Sequence, residues 1–279
     1  MINRILIPTD GSEYGKAALD YGIHLAKKLG AQLTGLYVVD IHLLQPPLIP
    51  DISGTMSLPL YYELVPSIES SLEERADGIL KAFEERCRDA GLQPEGKKSL
   101  GIVVEKIIEE AKAADWIIMA KRGEHFLLGE VGILGSTAEA VLHASGKPVM
   151  ITPAEFHPIN SVALAYDGSP AAEKAMQLTA ELSGHTGWSL KTIIITDNRE
   201  VEETLREKVK STIAPLNIDN KFIILSGRED KQLISFIQEG SVELIIMGAY
   251  GHNKLRRLIL GSTTSHVIRK SNIPVLLTR

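Results

Sequence analysis

The chain carries one cysteine, Cys87, in 279 residues. That excludes an internal disulfide framework and fits a reducing compartment. No apolar run approaches the roughly 18 residues of a membrane-spanning helix. Met1-Ile2-Asn3-Arg4-Ile5-Leu6-Ile7 enters a strand pattern without a signal-peptide layout. A cytoplasmic protein with no membrane partner is expected. Excess positive charge is missing too: the formal net charge is −5, so nothing announces nucleic acid as a partner. The eight histidines show no ligand spacing such as His-Glu-x-x-His, and no resident metal site is expected. The fingerprint Gly-x-Gly-x-x-Gly is absent after the first strand of either half, which argues against a Rossmann dehydrogenase. Gly91-Leu92-Gln93-Pro94-Glu95-Gly96-Lys97-Lys98 nearly spells a P-loop. It follows a helix pattern, however, and Lys98 stands where Ser or Thr is required. It reads as a helix C-cap and turn.

What is present is an alternation of short apolar runs and amphipathic stretches. Ile5-Leu6-Ile7-Pro8-Thr9-Asp10-Gly11-Ser12 is a buried strand ending in a turn, and Ser12 or Asp10 caps the helix that follows, which Gly30 ends. Gln32 to Val39 is a second strand. Asp40 to Pro66, with prolines at 46, 47, 50, 59 and 66, reads as a surface excursion or lid. The spacing then predicts a helix over Glu69 to Ala90, a strand near Lys97 to Leu100, and a helix over Val103 to Ala113. Asp115 to Ala120 is a buried strand, Ser136 opens a helix to Ala144, and Pro148 to Ile151 is the last strand of this half. Strands alternating with helices imply right-handed crossovers and a parallel sheet.

After a linker at Thr152 to Asn160 the same text returns. Val162 to Ser169 repeats the opening strand with its Asp-Gly-Ser. Val242 to Met247 matches Trp116 to Met119, Gly261-Ser262-Thr263 matches Gly135-Ser136-Thr137, and Ile273 to Leu276 matches Lys147 to Met150. Two α/β domains in tandem are expected, over residues 1–153 and 160–279. A period of a whole domain excludes solenoids.

The organising motif is Met247-Gly248-Ala249-Tyr250-Gly251, nine residues, then Gly261-Ser262-Thr263. Gly248 is expected at the C-terminal end of a buried strand and Ser262 as the N-cap of a helix. Loops at that place hold ligands in open α/β sheets. Glycines let the backbone approach a ligand, and helix-start amides attract anions. A nucleotide-phosphate cradle is the reading. The bland alternative is a plain strand–loop–helix connection.

With Gly248, Gly251, Gly261 and Ser262 in place, and an Asp-Gly-Ser after the first strand of each half, the chain resembles the universal stress protein family in its two-domain, ATP-binding form. The resemblance covers nearly the whole length. It implies flavodoxin-like (HUP-type) domains, each a five-stranded parallel sheet with helices on both faces, binding ATP, with Mg²⁺ as companion. It places Asp167 and Ile195, and Pro8, Asp10 and Val39 in the first half, near the adenine. Met247 and Gly248, with Met119 in the first half, would line the ribose. Gly251, Gly261, Ser262 and Thr263 would hold phosphates, with Gly123, Gly135, Ser136 and Thr137 the equivalent cofactor-binding positions in the first half. It also implies a pseudo-dimer within one chain. Whether two chains form a homodimer, and which protein partner is served, the residues leave open.

The first half departs from the motif. Ala120 stands for the first glycine, and eleven residues rather than nine separate Gly123 from Gly135. Its loop carries Glu124 and Glu130, against Lys254, Arg256 and Arg257 in the second. The second half is therefore expected to bind the polyanion more tightly. The cationic trio is otherwise a solvated loop face, and His125 and His252, in the two loops, could touch ligand. Asp10 and Asp167 could equally be turn aspartates capping the next helix. No His/acid pairing is legible beside Ser12 or Ser169, so N-cap duty is expected rather than nucleophilic catalysis. Groups that would position a nucleophile for phosphoryl transfer are not evident, so at most a slow ATPase is expected. An adenylating ligase would need a Ser-Gly-Gly-type loop where Asp-Gly-Ser stands. A nucleotide-free interaction module is the remaining alternative, most open for the first half. Cys87 is expected to be inert packing.

Overall fold

The computed structural model describes residues 2–44, 57–123, 134–249 and 260–279. The first half contains β1 (Arg4–Pro8), α1 (Glu13–Leu29), β2 (Gln32–Asp40), α2 (Ser57–Asp89), β3 (Glu95–Gly101), α3 (Val103–Ala111), β4 (Trp116–Ala120), α4 (Ser136–Ala144) and β5 (Val149–Thr152). The second repeats the series with β6 (Ser161–Ala165), α5 (Pro170–Thr186), β7 (Ser189–Ile195), α6 (Arg199–Ile213), β8 (Asn220–Leu225), α7 (Glu229–Gln238), β9 (Leu244–Gly248), α8 (Ser262–Lys270) and β10 (Val275–Thr278). All ten strands lie in one sheet, ordered β3-β2-β1-β4-β5-β10-β9-β6-β7-β8. Within each half the strands pair in parallel. The central pair, β5 with β10, is antiparallel, with Leu276 opposite Met150.

Side chains alternate across the sheet with a period of two. Ile5, Ile7, Ile118, Met150, Leu164, Ile246 and Leu276 share one apolar layer with α1, α2, α5 and α6. Leu6, Ile117, Ile151, Ala163, Ile245 and Leu277 share the other with α3, α4, α7 and α8. Strands covered on both faces need unbroken apolar runs, and Ile5-Leu6-Ile7 and Trp116-Ile117-Ile118-Met119 are all buried. The outer strand β3 carries Lys97 and Lys98, charges that discourage edge-to-edge pairing. Cys87 is buried among the α1/α2 side of the core, and that burial pushes its thiol up to about 11, so it is an unreactive packing group.

The linker is tied to α1. The Tyr21 hydroxyl donates to the Glu155 carbonyl at 3.2 Å and accepts from the His157 amide at 3.2 Å. His24 Nε2 lies 3.0 Å from the Ile159 carbonyl, and its ring stacks on Trp188 of the second half.

Two expectations need correction. The excursion from Asp40 to Pro66 is partly regular: Ile41–Leu44 forms a 3-10 turn, and α2 starts at Ser57 rather than Glu69. Residues 45–56 lie outside the described residues. The prolines masked the helix start. Pro59 falls in the first turn, where amides have no intrahelical partner, and Pro66 sits inside the helix and gives up one backbone bond. Second, Ser262 is not the N-cap of α8; Gly261 is, with φ −56° and ψ 147°, and Ser262 is the first helical residue. Gly135 caps α4 in the same way.

The seam carries the core's load, and the outer edge does not. Leu276→Ala, at a fully buried seam position, should cost about 2–5 kcal/mol in denaturant melts. Leu100→Ala, 49% exposed on β3, should change stability by less than about 0.5 kcal/mol.

Candidate functional site

In each half the strand order reverses between the first and fourth strands, β1 and β4 or β6 and β9. Ligand crevices of open α/β sheets form at such points, outside the C-terminal ends of the strands. The loop after β1 carries Asp10, whose Oδ1 accepts from the Ser12 amide at 3.0 Å. In the second half Asp167 Oδ1 accepts from the Ser169 amide at 2.9 Å. Gly11 and Gly168 sit at φ +78° and +76°, the left-handed turn this loop needs. Ser12 and Ser169 cap α1 and α5, accepting from the amides of Gly15 at 3.1 Å and Ala172 at 3.2 Å. The serines are caps, and the aspartates do hold turns.

The motif meets this loop. A Cβ on Gly123 would stand 2.8 Å from Asp10 Oδ2, so the carboxylate fills the space the glycine leaves. The Gly135 amide donates to the Lys121 carbonyl at 3.0 Å, closing the loop onto the start of α4. Asp10, Gly123, Gly135 and the helix start are thus brought together. In the second half Thr264 Oγ1 lies 3.4 Å from the Ala249 carbonyl and 3.5 Å from that of Gly248, joining α8 to the end of β9. Ser136 and Ser262 are exposed at the helix starts, beside first-turn amides that have no intrahelical acceptor. Among the described residues, a Cβ on Gly261 would meet nothing closer than Thr264 Oγ1, an ordinary contact at 3.7 Å.

Over this whole frame, the universal stress protein family model matches residues 1–153 and again 158–279. The chain belongs to the universal stress protein family. It is 27% identical over 288 residues to a universal stress protein of Synechocystis, covering 100% of both chains. To one from Methanocaldococcus jannaschii it is 30% identical over 155 residues, covering 54% of this chain and 82% of the relative. The solved structure of a universal stress protein from Archaeoglobus fulgidus matches with TM-score 0.77 at 26% identity, covering 100% of this chain and 99% of that one. The α/β architecture and the tandem organisation are those of this stress-response family. Among the described residues, no helix is long and apolar enough to cross a membrane.

The remaining sequence-picked positions divide by burial. Pro8 and Ile195 end β1 and β7, and both are half-buried. Val39, Met119 and Met247 are core residues, 5%, 6% and 5% exposed. Their side chains pack inward, so only their backbone can line a ligand. Thr137 and Thr263 are half-buried in the first turns of α4 and α8. Thr263 Oγ1 donates to Glu229 Oε2 of α7 at 3.3 Å, a contact the sequence did not suggest. Gly251, His252, Lys254, Arg256 and Arg257, and in the first half Glu124, His125 and Glu130, lie outside the described residues.

Gly248 has a reason to be glycine apart from any ligand. A Cβ there would meet the Ala172 amide and the Ala171 Cβ, each at 2.9 Å. In the first half Ala120 takes the equivalent place, and the residue equivalent to Ala172 is Gly15. Ala120 is half-buried and packs into the α1 layer, while a Cβ at Gly15 would meet Asp10 Oδ1 at 3.2 Å and Thr9 Oγ1 at 3.3 Å.

Charge near the motifs is not confined to the loops. Lys121 and Arg122 stand within the first motif, where the second has Ala249 and Tyr250. Lys121 does not face its own cradle: its Nζ donates to the Arg269 carbonyl at the end of α8. Burial first, and then Arg122 and Lys270, push its amine down to about 8. At the outer rim, Arg228, Glu229 and Asp230 of the second half correspond to Ile102, Val103 and Val104 of the first. Arg228 pairs with Asp230 at 2.9 Å and holds that carboxyl below its usual range.

The Gly248 contact yields a test that needs no ligand. Gly248→Ala should lower stability by about 1–3 kcal/mol through overpacking against α5. Urea melts of the variant and the parent would read it; equal midpoints would show that α5 yields at no cost.

Proposed function

We propose that this universal stress protein is an adenine-nucleotide-binding regulatory protein, taking ATP with Mg²⁺ and having little or no catalysis of its own. The observation that carries the reading is the meeting, at the first half's switch point, of the Asp-Gly-Ser loop with Gly123 and a helix start that has no side-chain cap, matched in the second half by Gly248 against the start of α5. Adenine would lie by Asp167 and the end of β7, ribose along the backbone of Met247 and Gly248, and phosphates over Gly251, His252, Gly261, Ser262 and Thr263. Exposed first-turn amides and the Ser262 hydroxyl supply donors for an anion. Among the described residues, the crevice hydroxyls of Ser12 and Ser169 are engaged as caps. Binding then acts by stabilising one conformation or partner surface, by as much as its affinity differs between states.

The second half is the stronger site in this reading. Its motif glycines are complete. In the first half Ala120 replaces the first glycine, and eleven residues rather than nine separate Gly123 from Gly135. That half would bind more weakly and serve chiefly as the pairing partner across the seam, within a cytoplasmic protein of domains 1–153 and 160–279. The homologous cradle at Gly135, Ser136 and Thr137 would be the weaker one.

Calorimetric titration of Mg·ATP into nucleotide-stripped protein tests this. One tight site per chain is expected, lost in Gly261→Leu. The variant should keep its melting temperature, because residue 261 has an ordinary backbone conformation and, among the described residues, room for a Cβ. Unchanged affinity in a folded Gly261→Leu protein would overturn the site assignment.

A further inference from the structure

The last helix of each half is held at its C-terminal end by a cation from the other half. Lys121, just past β4, donates from Nζ to the Arg269 carbonyl in the last turn of α8. Arg279, just past β10, donates from Nη1 to the His143 carbonyl in the last turn of α4 at 2.8 Å, and to the Ser145 carbonyl at 3.2 Å. His143 and Arg269 are equivalent in the repeat, so both anchors take the same carbonyl. The anchoring residues are not equivalent: Ala249 stands at the position of Lys121, and Pro153 at that of Arg279. The same contact has been reached from two different places. A contact inherited from the repeat itself would use matching residues.

We propose that Lys121 and Arg279 are positioning residues acting across the halves: each sets the phosphate-facing helix of the half to which it does not belong. The inference rests on the reading of those helix starts as the nucleotide sites. The mechanism is mechanical and electrostatic. α8 and α4 have nine residues each, about 13 Å of helix. So short a helix moves as a body, and a shift at its C-terminus is carried to Gly261-Ser262-Thr263 or Gly135-Ser136-Thr137. The last-turn carbonyls carry the negative end of the helix dipole, so a cation is the fitting anchor. Lys121 follows directly on the strand that ends in the first motif, and its own carbonyl accepts from the Gly135 amide. It therefore touches the first cradle through its backbone and the second through its side chain. Occupancy of one site is felt at the other through this residue.

Amide hydrogen exchange of the ligand-free full chain tests the anchor without depending on nucleotide. Lys121→Met should speed exchange in the C-terminal half of α8 by about tenfold, leaving α4 unchanged. Arg279→Met should do the reverse. Lys121→Arg should restore the parent pattern, which a requirement for bulk alone would not predict. Equal exchange in α8 of the parent and Lys121→Met, or loosening spread evenly over both helices, overturns the proposal. Titration of Mg·ATP then reads the consequence. The site that Gly261→Leu removes should weaken severalfold in Lys121→Met, although no residue of the second half has changed. Loosened α8 with unchanged affinity overturns the positioning role. If the parent protein binds no ATP, the nucleotide reading fails, and the exchange results still decide whether the anchors set the helices.

Discussion

The antiparallel pairing of β5 with β10 is the constraint on which the other features depend. Within each half the strands run parallel, so every crossover helix returns on one face or the other and every strand ends on the same side. Joining two such sheets antiparallel rotates the second half end for end within the sheet and keeps its helices on matching faces. The C-terminal strand ends of the two halves then point to opposite sides of one sheet of ten strands. Two crevices on opposite sides follow, as does burial of two strands that would otherwise be exposed edges. Val149, Met150, Ile151, Val275, Leu276 and Leu277 are all 2% exposed or less, because the seam is the middle of the core.

The same inversion explains the cross-half anchors. A crossover helix runs antiparallel to its own strands, so the C-terminal end of α4 or α8 lies on the side where its own strands begin. After inversion, that is the side where the other half's strands finish. Lys121 leaves β4 beside the end of α8, and Arg279 leaves β10 beside the end of α4. Helix ends need partners for their free carbonyls, and the topology offers the opposite half as the nearest source. Few other arrangements would put a residue next to one cradle in contact with the helix of the other.

Much of this frame was legible in the chain. The repeated Asp-Gly-Ser, the two Gly-Ser-Thr helix starts and the paired apolar runs are local signals, and the strands and most helices fall where periodicity puts them. Failures came where a local signal had a competing cause. The prolines at 59 and 66 read as loop, yet the first turn of α2 tolerates one and the helix absorbs the other. Ser262 looked like a cap, but its backbone is already helical and Gly261 takes the capping position. Gly248 looked like a ligand-facing glycine, and the α5 backbone alone would require it. The pairing of Thr263 with Glu229 joins residues far apart in the chain. Lys121 and Arg279 were invisible for a different reason: comparing the repeats hides any contact made from non-equivalent positions.

Duplication also frees the halves to differ. The seam and the two apolar layers tolerate little change, since a lost methylene there is felt as a cavity. The crevice rims carry no such load. The second half places Arg228, Glu229 and Asp230 at its rim, with Glu229 reaching the Thr263 hydroxyl, while the first places Ile102, Val103 and Val104 there. Leu43, Leu100 and Ile102 stay 54%, 49% and 41% exposed on that side of the first half. Thr263 in the second half is thereby engaged by Glu229, a contact the first half's Val103 cannot make. A chain built this way can specialise one crevice without loosening the sheet that holds the other.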